Sequence, residues 1–288
     1  MPLDHLLRHV LLVPAGIGLV VALALWMGGK AAWPRWIGLL FAAAFAAALL
    51  VGPNFSSHLP PRSADDLLPL AAALFAVFSL LHLGAGATGS RRLLLDGAVL
   101  LPPSAWIAWL TASQVQAYYR WNAFALAGVV ILATLGGVVS ALLHREVARK
   151  HPAPGVIAGW LITATGASLA LILGRTARGA EFAGTLCAVL GPAFVMALLR
   201  GREARAEAFA VPVAGALYAV LLFGVLQGEL IWISAALLIL LSSAAGLLQL
   251  RSRSTWTLIG ALGFVSLLPA AAAVFMSLMK SEAGSPAS

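Results

Sequence analysis

Asp96, His82, the pair Pro102-Pro103 and the Ser104 that follows it are the residues of this chain whose types and spacing could do chemistry. Asp96 stands about one turn inside the basic end of an apolar run, 91–112, and His82 about one turn before Gly86 at the end of the preceding run. If the two runs are antiparallel membrane helices, imidazole and carboxyl lie at similar depth and can share a proton. The chemistry would be a relay or gate at one face. The plainer alternative is that Asp96 neutralises Arg91 or Arg92 while His82 reaches to the interface.

Pro102 and Pro103 carry no backbone N–H, so a helix through them leaves the carbonyls of Ala98 and Val99 without their usual donors. In hydrocarbon those carbonyls must find other partners. The sequence therefore predicts an interruption near the middle of this run, where freed carbonyls and the Ser104 hydroxyl offer a site to a neutral or cationic group.

Other chemistries find less support. A membrane haem normally takes two histidines from different spans, and of His5, His9, His58, His82, His144 and His151 only His82 lies well inside an apolar run. His5 and His9, one turn apart at an edge, make a weak metal pair. Cys187 stands alone, which excludes an intrachain disulfide and any CxxC motif, and reads as a small buried hydrophobe. There is no HExxH helix, no GxxxxGK[ST] loop, no paired aspartate and no serine with a histidine at matching depth. No cofactor, no metal and no catalytic residue is expected. The other acids fall in loops or at the ends of runs, which weighs against an antiporter built on a midplane carboxylate.

The elements that must position these residues follow from composition. Of 288 residues 61% are hydrophobic and 10% charged, and the mean hydropathy is +0.98. That is too little polar surface to clothe a globule in water. The net charge of +8 is scattered between apolar runs rather than gathered in a patch, so the partner it implies is a lipid bilayer and not nucleic acid. At roughly 20 apolar residues per crossing, the chain holds about ten spans. They lie near 6–27, 33–51, 66–86, 93–112, 121–143, 155–174, 179–199, 208–227, 230–250 and 255–279. The connections are short, and residues 280–288 read as a disordered polar tail.

Lys and Arg are about twice as frequent in the loops after odd-numbered spans, which places those loops in the cytoplasm and both termini outside. Small residues should let the helices approach closely. The sixth span offers a ridge at spacing four, Gly155, Gly159, Thr163 and Ala167, and the fifth, seventh and eighth offer Ala133 and Gly137, Gly184 and Ala188, Gly215 and Ala219.

The fold expected is thus all-α: a polytopic inner-membrane bundle over residues 1–279, open to division into five-helix halves at 1–143 and 155–279, without a soluble domain. The function this supports is a permease-like carrier of a small solute or lipid, with a cavity near Pro102-Pro103. The rival is a non-catalytic integral subunit of a larger membrane complex, whose partners are other membrane subunits or a second copy of the chain. An intramembrane lipid-modifying enzyme ranks third.

Overall fold

The computed structural model describes residues 12–27, 36–50, 64–81, 89–174, 177–201, 206–228, 230–241 and 255–283, and among them every regular element is a helix. The first half contributes α1 (Val13–Met27), α2 (Trp36–Leu50), α3 (Ala64–Leu80), α4 (Gly89–Tyr119) and α5 (Ala123–Lys150). The second contributes α6 (Ala153–Leu173), α7 (Ala177–Arg200), α8 (Glu207–Leu226), the short α9 (Trp232–Ala236) and α10 (Thr255–Ala283). A π turn, Leu237–Leu241, continues α9. Long stretches of Ala and Leu, the best helix formers among apolar residues, account for the helical form of the described residues.

Six of these helices, α4 to α8 and α10, are long and apolar enough to cross a membrane. Three further apolar stretches, Val13–Leu23, Ile37–Leu50 and Leu70–Leu80, are shorter. The chain is therefore a multi-pass membrane protein by the length and apolarity of its helices.

α4 departs from the expected interruption: it is a continuous helix of 31 residues with Pro102 and Pro103 inside it. The prolines remove only local i→i−4 bonds, and intact turns on both sides together with packing from neighbouring helices keep the axis whole. Pro103 is buried and Pro102 exposed, while the Ser104 hydroxyl donates to the carbonyl of Leu100 at 2.8 Å.

α4 and α5 form an antiparallel hairpin closed by Arg120, Trp121 and Asn122. Arg120 sits at φ 53, and the N–H of Trp121 donates to Gln116 O at 3.1 Å, closing the helix as a left-handed cap. Asn122 opens α5, its side-chain oxygen accepting from the N–H of Ala125 at 2.8 Å.

α8 is the axis of the bundle. It contacts α2, α3, α4, α5, α6, α7 and α9, and from Phe209 to Leu221 every residue on it is buried. Gly215 permits this crowding, since a Cβ there would stand 2.5 Å from the ring of Phe75 on α3. The ridge on α6 is buried at all four positions and forms part of a long seam with α10. Along it a Cβ at Gly159 would meet Ser266 Oγ at 3.0 Å and one at Gly166 would meet Ala270 Cβ at 2.6 Å. α1 and α5, which occupy the corresponding places in the first half, share no comparable seam among the described residues.

Candidate functional site

Four charged side chains from α4, α5 and α8 meet at one end of the bundle. Arg92 and Asp96 stand four apart on α4 and so share a face, with Arg92 Nε 3.6 Å from Asp96 Oδ2. Arg145 of α5 reaches the same oxygen at 2.9 Å. Both arginines also meet Glu207 at the start of α8, Arg145 Nε at 3.6 Å and Arg92 Nη2 at 3.7 Å from Oε1. Asp96 is only 4% exposed and Arg145 13%, whereas Glu207 is 39% exposed. Two cations and two anions sum to zero, the condition under which charge tolerates burial.

Of the two arginines weighed as partners for Asp96, the structure supplies Arg92 and adds Arg145; Arg91 is exposed. His82, the other candidate, lies outside the described residues, as do His5 and His9. An apolar run that ends at 143 predicts that His144 and Arg145 lie in a loop. α5 instead runs two further turns to Lys150, because a charged residue ends apolarity without ending a helix. His144 is accordingly buried, its Nδ1 2.9 Å from Ser140 O. Its ring stacks on Trp160 of α6, which meets Phe209 of α8 edge to face, and Phe209 stacks on Phe41 of α2. This aromatic ladder lies in the same region of the bundle as the ion pairs. Arg149 turns to the exposed side and pairs with Glu146 at 2.6 Å.

Further along the same helices Ser104, Gly137 and Tyr218 come together. A Cβ on Gly137 would stand 2.9 Å from both Ser104 Oγ and Tyr218 Cζ, so the glycine lets α4, α5 and α8 touch. The Tyr218 hydroxyl donates to Ser104 O at 3.5 Å. Nothing in the sequence singled out Tyr218; an aromatic residue within an apolar run reads as packing. Ser140, one turn from Gly137, is fully buried and its hydroxyl has no hydrogen-bond partner among the described residues.

Beyond Tyr218 a cleft of about 430 Å³ opens between α5, α8 and α9. Leu132, Ala133 and Gly136 line one side, Tyr218, Leu222 and Val225 the second, Trp232 and Ala235 the third. The sequence predicts a cavity beside Pro102-Pro103, and this cleft is set apart from that position. No residue of α4 lines it, and Tyr218 stands between it and Ser104. Leu132 and Trp232 are 72% and 69% exposed, so the cleft faces sideways out of the bundle. Near its far end Gly228, at φ 74, brings the chain against the Tyr119 hydroxyl, and the Lys280 ammonium donates to Gly228 O.

Among the described residues no group of three or more His, Cys, Asp and Glu side chains is placed to hold a metal ion. Cys187 is half-buried, its sulfur 3.5 Å from the Thr165 hydroxyl. No protein-family model matches this chain, and no curated protein matches it.

Proposed function

We propose that this protein is a permease-like carrier of the inner membrane, with about ten spans and both termini outside, and that its cargo is a lipid rather than a small polar solute. The cleft between α5, α8 and α9 supports this reading. Its volume falls in the range of small-molecule sites, roughly 300–1,000 Å³. Of the residues that line it only Tyr218 and Trp232 carry a polar side-chain atom, so it suits an acyl chain and offers little to an ion or sugar. Its sideways opening gives such a chain a route from the bilayer without crossing water. His82, Asp96, Pro102, Pro103 and Ser104 remain the candidate polar site of this reading, now with Arg145 and Glu207 beside Asp96.

The test is reconstitution into liposomes containing a headgroup-labelled fluorescent phospholipid, followed by an impermeant quencher. Faster loss of the protected half of the signal supports a carrier. A rate equal to that of protein-free liposomes sinks it. The rival reading, an integral subunit, draws on the apolar flank beside the cleft, where Phe124 is 90% exposed. A partner helix seated there would co-purify in stoichiometric amount.

A further inference from the structure

We infer that the Arg92–Asp96–Arg145–Glu207 network is a latch that holds the bundle shut at its basic face while the cleft stands open in the opposite half, with the Gly137–Tyr218 contact as the fulcrum between them. The inference rests on the carrier reading. α5 and α8 part to form the cleft at Gly136 and Leu222, touch at Gly137 and Tyr218, and are tied at Arg145 and Glu207. At 1.5 Å per residue, the fulcrum lies about 16 Å from the tie along α8 and about 12 Å along α5. A rocking motion about the middle contact closes one end as it opens the other, which is how two helix groups give alternating access to one site.

The ion pairs are graded in a way that suits this use. Asp96 binds the α4–α5 hairpin to itself, through a buried carboxylate and a 2.9 Å contact to Arg145. Glu207 binds the hairpin to α8, through a half-exposed carboxylate at 3.6 and 3.7 Å. When the face opens, the Glu207 links part first. Glu207 then meets water, and both arginines keep Asp96 as a partner, so opening leaves no buried charge alone. A staple meant only to fix helix register would gain nothing from this asymmetry.

Thiol protection tests the latch without any cargo. In a Cys187→Ala background a Ser140→Cys variant places a thiol on the Gly137 face of α5, between fulcrum and latch. An impermeant maleimide is applied to full-length protein in liposomes, at the face that carries Arg145. With Glu207 intact the thiol should react slowly; with Glu207→Gln its labelling should rise about tenfold, in proportion to the open population. Equal slow rates overturn the latch. A Thr163→Cys variant, buried on α6 away from the network, is measured in parallel. Faster labelling there under Glu207→Gln shows general loosening and also overturns it. The two readings separate cleanly: labelling that responds to Glu207 in a protein that moves no lipid supports the latch and sinks the carrier, while lipid movement with unchanged labelling does the reverse.

Discussion

Arg145 Nη1 stands 2.9 Å from Asp96 Oδ2 across the α4–α5 hairpin, an ion pair that ties one helix to the next. The carboxylate it meets is 4% exposed, so the pair is not screened by solvent as surface pairs are. Asp96→Asn should leave two guanidiniums with only the half-exposed Glu207 carboxylate between them and cost about 2–4 kcal/mol. Chemical unfolding of the purified protein measures this. Arg145→Gln should cost a similar amount and the double variant less than the sum, because each single change already removes the shared interaction. Additive losses would show that the pair carries no coupling energy.

Gly137 sets how near α5 comes to α4 and α8. Gly137→Ala places a Cβ 2.9 Å from Ser104 Oγ and from Tyr218 Cζ, and the helices must shift to admit it. A loss of about 1–3 kcal/mol follows from such overpacking. Gly128→Ala, on the same helix with nothing within 4 Å, should be neutral or slightly stabilising. A melting comparison of the two variants decides; equal shifts would contradict the close contact.

Gly136 lines the cleft and a Cβ there meets nothing within 4 Å. Gly136→Leu should therefore fill part of the cleft without disturbing the bundle. Lipid movement in liposomes should fall about tenfold or more, as expected when a binding cavity is occupied. The same melting temperature with undiminished lipid movement would place the route elsewhere.

Trp160 joins His144 to Phe209, at centroid distances of 6.2 and 5.5 Å. Trp160→Ala should open a cavity between α5, α6 and α8 and cost about 3–5 kcal/mol. Trp160→Phe, which keeps a ring in the ladder, should restore more than half of that loss. Failure of phenylalanine to rescue would mean the stack contributes little beyond filling space.

Much of this architecture was legible in the residues. The apolar runs placed the helices, and the ridge Gly155, Gly159, Thr163 and Ala167 marked a buried face of α6, because close approach in lipid depends on small side chains. Asp96 stood out for a related reason: an acid within an apolar run must have a partner, and one of the two arginines proposed for it, Arg92, is there. What escaped was set by tertiary contact. Arg145 and Glu207 sit where a run ends, and a terminal charge reads as a topology signal unless another helix is known to face it. Tyr218 gave no signal at all, since its role comes from Gly137 on α5 and Ser104 on α4. The proline pair misled in the opposite direction: two missing donors forecast a break, whereas α4 remains continuous.

The hairpin turn Arg120–Asn122 also bears on how this protein enters its membrane. α4 and α5 follow each other with only that turn between them, so Asp96 and Arg145 emerge on neighbouring helices during synthesis. Each alone costs roughly 2.5–3.5 kcal/mol to insert near the centre of a helix, and less toward its end. Joined at 2.9 Å they neutralise one another before α8 has been made. Asp96 and Arg145 can then pass into lipid as a neutral pair, and Glu207 arrives afterwards to two arginines that already have a partner.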